Sequence, residues 1–250
     1  MDPLQAVLAL GLTLILALGP GLLTLDALRP SAGAVRNVAV APAVSLGLLW
    51  ICATVLGLVH LPVSAATVLP VVFGAPLLAS LVRRRHTSSV GPGLRVDRLD
   101  VAGIGTGVLL AVVLWVSASQ WLRLGVPNDD GSHHGFYTAR ILTTSSLDPA
   151  QVLVGDVLTG TPTYDFYPLA LHLMAAMIAA TGLPVAVALN AAWVVLTSLG
   201  LGAGMYVLAR RTFPAARRVA VVVAVLAPVM SKIPFGPIYW GGVPLLAGMA

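Results

Sequence analysis

Long apolar runs, separated by short polar ones, divide this chain. Leu4–Leu25, Asn37–Val59, Ser64–Val82, Val101–Ser119, Val185–Ala209 and Arg218–Met230 are continuous apolar stretches. Most hold close to the roughly 20 residues that a helix needs to cross about 30 Å of hydrocarbon. Backbone groups in lipid have no water to pair with, so each run is expected to be a helix. Phe166–Gly182 is shorter, opens with Tyr167-Pro168 and carries His172. A further run begins at Val243 and continues to Ala250, so the chain is expected to be a fragment, or an unusually short relative of something longer. The pattern predicts an all-α, polytopic helical membrane protein.

Composition excludes the soluble alternative. Apolar residues make up 58% of the chain and charged residues 9%, against about 25% charged in a typical soluble domain. So few charges cannot cover a water-facing surface. The Met-Asp-Pro start lacks the basic region of a signal peptide, so Leu4–Leu25 is read as a retained helix. The single Cys52 has no partner for an internal disulfide and lies in an apolar run, where it reads as a small core residue. Heavy use of Arg, Ala, Val, Leu and Gly, with one Lys and no Glu, suggests a GC-rich bacterial genome.

The net charge of +5 does not indicate nucleic acid, because the Arg residues cluster between apolar runs. Such clusters mark cytoplasmic loops. Arg83, Arg84, Arg85, Arg95 and Arg98 form the densest cluster, and Arg210, Arg211, Arg217 and Arg218 the second. Arg29 and Arg36 form a weaker third. Three apolar runs lie between the first two clusters, and three crossings would put those clusters on opposite sides. One run is therefore expected not to cross. Phe166–Gly182 is the shortest, and is expected to be a re-entrant or surface-lying helix on the outer side. The chain then divides into three leading transmembrane helices over 1–82, a cytoplasmic basic linker over 83–100, and a core over 101–250. Six complete spans result, and 120–184 forms a large external loop. The N-terminus and 231–242 also lie outside.

That loop gathers the polar chemistry. It holds five of the nine acidic residues (Asp129, Asp130, Asp148, Asp156 and Asp165) and three of the five His (His133, His134 and His172). In Asn128-Asp129-Asp130-Gly131-Ser132-His133-His134, Asp130 or Ser132 can cap a helix by accepting from its free N–H groups. His133–Leu142 is amphipathic, with Phe136, Tyr137, Ile141 and Leu142 apolar and Arg140 charged, which suits a helix on the membrane interface. Asp130 and His134 are one helical turn apart. They can hold a divalent cation with His133, act as a base and its neighbour, or serve only as caps. Pro168 can begin the helix that carries His172. Lys232 and Tyr239-Trp240-Gly241-Gly242 read as interfacial anchors, with Lys232 placed to meet a lipid phosphate.

An acidic motif just outside a span, an amphipathic helix with Arg140, a Tyr167-Pro168 helix, a long span and the basic turn Arg210-Arg211-Thr212-Phe213-Pro214 follow in order. This order resembles the GT-C superfamily of membrane glycosyltransferases, which use polyprenyl-phosphate sugars, and the multi-pass actinobacterial proteins near it. The resemblance covers about 101–250. It implies a GT-C-like fold with short surface helices in a large first external loop. Asp130 or Asp129 would be the catalytic base or part of a metal site, and the Tyr167-Pro168 helix would stay external. Arg140, Tyr167, His172, Lys232 and Trp240 would bind substrate. Its partners would be a membrane lipid, a polyprenyl-phosphate-linked sugar donor and a glycan acceptor in cell-envelope assembly, with the loop outside the plasma membrane. Three features are expected to depart from the family pattern: three helices precede the usual first span, 231–242 has no acidic residue, and the C-terminal half that often binds acceptor is not in this sequence.

A transporter or lipid flippase is the rival reading, with the loop as a gate. Transporters place polar groups near the midplane on broken helices, whereas these spans are nearly free of charge. A third reading is a non-catalytic metal sensor built on His133 and His134.

Overall fold

The computed structural model describes residues 3–28, 34–86, 98–122, 129–153 and 169–227. They form helices α1 (Pro3–Leu28), α2 (Ala34–Leu58), α3 (Ala65–His86), α4 (Arg98–Ala118), α5 (Asp129–Thr144), α6 (Pro149–Val152), α7 (Ala170–Ala179), α8 (Val185–Leu199), α9 (Met205–Thr212) and α10 (Arg217–Leu226). A π-helical turn, Gly200–Gly204, joins α8 to α9, so Val185–Thr212 runs as one interrupted helix. Among the described residues, five helices are long and apolar enough to cross a membrane. They match the first five spans expected, within four residues at each end. The sixth, α10, is described only to its last turn. The protein is an all-α, multi-pass membrane protein.

Burial separates the centre from the rim. In an apolar 18-residue stretch of Val185–Thr212 about 78% of the residues are buried, against 22–39% in the corresponding stretches of the other four. Leu8 and Ile15 on α1, Ile51 and Val55 on α2, and Leu109 and Val113 on α4 face outward. A soluble protein rarely exposes so continuous an apolar surface; here lipid covers it. The leading helices are joined to the core, with α1 lying along α8 and α2 along α7.

Lipid offers little hydrophobic drive for helices to associate, so close backbone approach does the packing. Gly103, Gly107 and Ala111 form a small-residue stripe on α4, and Ala220 and Ala224 form its counterpart on α10; all five are buried. A Cβ on Gly107 would sit 2.3 Å from the Ala224 carbonyl oxygen, so only glycine fits. In α1, Pro20 interrupts the hydrogen-bond ladder. The next amide, Gly21 N–H, donates to Ser45 Oγ of α2 at 2.8 Å.

The bundle has two unlike ends. At the first, Arg83 of α3 donates to the Asp26 and Ala27 carbonyls that end α1, where a cation suits the helix dipole. Asp26 Oδ2 also accepts from Ser80 Oγ at 2.6 Å. Asp100, in the first turn of α4, pairs with Arg217 of α10 at 2.7 Å and accepts from the Tyr206 hydroxyl of α9. The described residues that flank the three basic loops thus gather at one end of the bundle.

At the second end, the α2–α3 connection meets α5 through Val63 N–H and the Ser145 carbonyl, 2.7 Å apart. Asn190 of α8 donates to the Leu122 carbonyl at 2.9 Å. Gln120, Trp121 and Leu122 all have positive φ and turn the chain sharply out of α4. Ser119 Oγ accepts from Leu122 N–H and holds that turn.

Helix α7 is only ten residues long. It spans about 15 Å, half the hydrocarbon thickness. It does not lie on a surface, as one of the expected placements had it: every residue from Leu171 to Ala179 is buried, against α8, α5, α2 and α1. Its apolar character on all sides calls for protein around it. Gly182, at φ +94°, reverses the chain, and Pro184 caps the start of α8.

Two glycines on α4 test this packing. Gly107→Ala is expected to destabilise the protein by about 1–3 kcal/mol through overpacking. Gly105→Ala, where an added Cβ meets nothing within 4 Å, is expected to be neutral or stabilising. Thermal midpoints of the two variants in one detergent check this; equal midpoints would contradict the α4–α10 contact.

Candidate functional site

The second end holds the candidate site. Helix α5 opens at Asp129, and its inward face carries His134, Tyr137, Thr138 and Ile141, all buried. It was expected to lie on the interface; instead that face packs on α7 and α8. His172 stands in the first turn of α7 and is fully buried. His134 Nδ1 and His172 Nε2 are 3.0 Å apart, so one ring donates its proton to the other. The Tyr137 ring meets His172 edge-on, with centroids 5.8 Å apart. Trp115 of α4 and Trp193 of α8 pack edge to face at 4.5 Å.

Burial, and next the neighbouring His134, push the His172 imidazole down from its ordinary 6.5 to about 3. An ion here would lose its water and meet the like charge of a protonated His134. His172 is therefore a neutral hydrogen-bonding group, poised to hold a proton at one nitrogen and accept at the other.

The other nominated residues separate. His133 is exposed, beside the Tyr137 ring at 6.3 Å. Consecutive residues on a helix point about 100° apart, so His133 and His134 do not converge on one ion. Among the described residues, no three of His, Cys, Asp and Glu come together. Arg140 lies six residues beyond His134 and donates from Nε to the Gln151 carbonyl at 2.8 Å, tying α6 to α5. The backbones of Asp129 and Asp130 open α5, while their side chains lie outside the described residues, as do Asp156, Asp165, Tyr167, Lys232 and Trp240. Asp148 caps α6, accepting from Ala150 N–H at 3.0 Å.

The His134–His172 pairing was not legible in the sequence, because 38 residues separate the rings. Its only trace is two histidines in the loop that gathers the chain's polar residues.

Fold and site together define a multi-pass membrane protein with a buried histidine pair beneath one end. The family of unknown function DUF6541 matches residues 14–250, and the chain belongs to that family. No curated protein and no solved structure matches it.

The depressed His172 fixes a pH dependence. Above about pH 6.5 neither the folded nor the unfolded chain protonates it. Between pH 6.5 and about 3 the unfolded chain takes up a proton that the folded one refuses. Stability therefore falls as pH falls through that window, by up to about 1.4 kcal/mol per pH unit. The thermal midpoint of the detergent-solubilised protein should show this, and His172→Phe should flatten it. An unchanged pH slope in the variant would contradict the assignment.

Proposed function

We propose that the protein is a membrane glycosyltransferase of GT-C type. It moves a sugar from a polyprenyl-phosphate donor to an acceptor outside the plasma membrane, in cell-envelope glycan assembly. The observation that carries the reading is the His134–His172 contact at 3.0 Å. It joins α5, whose first turn is the acidic motif, to α7, which follows the Tyr-Pro motif. These are the two loop segments nominated by the resemblance. The positive-inside rule supports an outward-facing second end, since the described basic loops meet the opposite one.

In this reading Asp130, or Asp129, takes the proton from an acceptor hydroxyl. That oxygen bonds to the anomeric carbon as the bond from carbon to phosphate oxygen breaks, and the lipid phosphate leaves with the electron pair. Arg140 or Lys232 meets the charge that develops on it. The neutral His134–His172 pair fixes the start of α5 against α7. A divalent cation held by His133, His134 and Asp130 does not fit the divergence of the two histidines, and no step is routed through one.

The rival, a transporter or lipid flippase, gains one observation: the π-helical turn at Gly200–Gly204 interrupts the central helix. Broken helices in transporters carry polar binding groups at the break. Here the break is Gly-Leu-Gly-Ala-Gly, with no side chain to bind an ion or substrate.

Asp130→Ala decides the matter. In membranes containing equal amounts of protein, the variant should lose at least about a hundredfold of transfer from a polyprenyl-phosphate sugar to an acceptor, the scale of a general base. Transfer at the wild-type rate would sink the proposal.

A further inference from the structure

A groove of about 690 Å³ opens at the second end, between the α2–α3 and α5–α6 connections. Neither His134 nor His172 lines it. Its deep wall is apolar: Ala53, Leu153 and Leu169, with Trp50 lowest on α2. Trp50 stands eight residues before the end of α2, so the groove follows that helix for about 12 Å. Its rim is polar and carries His60, Ser146, Asp148 and Gln151.

The charge of this lining selects its ligand. Among the described residues, no Lys or Arg lines the groove, and its one carboxylate is Asp148. Phosphate binding calls for cationic or aligned N–H donors, and a phosphate beside Asp148 would be repelled. A neutral sugar suits the same surface. Asp148 uses Oδ1 to cap α6, and its second oxygen can accept from a sugar hydroxyl. His60 and Gln151 add donors and acceptors, and the half-buried Trp50 offers a flat apolar face. The deep apolar wall suits a hydrocarbon stem below the sugar.

We infer that this groove binds an uncharged saccharide, the headgroup of a glycolipid or the end of a free glycan, as the acceptor subsite of the transfer proposed above. The inference rests on that reading for its role, but the binding stands or falls by itself. It also gives the leading helices a function, since α2 and its connection to α3 supply one wall.

The test uses the whole protein in lipid nanodiscs, with empty nanodiscs as the control for partition into lipid. Octyl glucoside below its micellar concentration, methyl glucoside and octyl phosphate are each titrated and followed by saturation-transfer NMR. Octyl glucoside should bind saturably and octyl phosphate at least tenfold more weakly. Methyl glucoside binding as well as octyl glucoside identifies a free glycan as the ligand; binding only with the octyl chain identifies a glycolipid. Asp148→Asn keeps a helix-capping oxygen, so α6 should persist while glucoside binding weakens roughly fivefold to tenfold, as expected when a charged acceptor becomes neutral. Trp50→Leu should weaken it as well. Octyl phosphate binding as tightly as octyl glucoside, no glucoside binding, or wild-type binding by both variants would overturn the inference. A failed Asp130→Ala activity test leaves these binding results untouched, so the two failures are distinguishable.

Discussion

A ten-residue helix reaches about 15 Å, and the hydrocarbon core is about 30 Å thick. An α7 of that length cannot cross, and its polar ends would be left in lipid if it stood alone at membrane depth. Protein must enclose it, and α1, α2, α5 and α8 do so. This constraint organises the rest. It brings α5 down onto α7, places His134 against His172, and makes the long α8–α9 helix the most buried of the five span-length helices. It also sets the parity of the chain. With α7 uncrossed, the connection after α3 and the one after α9 fall at the same end, where Asp100 ties α4 to α10 through Arg217.

The two ends follow different chemistry. The first is held by charge: Arg83 on the last carbonyls of α1, and Arg217 with Tyr206 on Asp100. The second is held by neutral polar contacts: Asn190 to Leu122, Val63 to Ser145, and one imidazole to another. Neutral groups cost less to bury than charges, which suits a site sunk among helices. Between the ends, the stripes of Gly and Ala on α4 and α10 bring backbones close enough for dispersion to hold them.

Much of the fold was legible because its signal is local. A span announces itself by length and apolarity, and five spans appear near their expected limits. The charge rule picked out the run at Phe166–Gly182, because parity constrains the whole chain even where local hydropathy is ambiguous. What could not be read was contact between distant segments. The apolar face of α5 was visible, but nothing in its sequence distinguishes a face meant for lipid headgroups from one meant for a buried helix. The His134–His172 pair and the α2–α5 groove both join segments far apart in the chain. Gly103 and Gly107 became informative only once Ala220 and Ala224 stood opposite.

The central claim is the uncrossed α7, and sidedness tests it most directly. In a Cys52→Ala background, Ser89→Cys and Ala215→Cys place single thiols in the two basic connections, and Ser146→Cys places one at the second end. A membrane-impermeant maleimide is applied to intact cells and again after permeabilisation. The account predicts that the thiol at 146 labels on intact cells, and that those at 89 and 215 label only after permeabilisation. Labelling of 89 and 215 from opposite sides would show that α7 crosses, and would contradict the account.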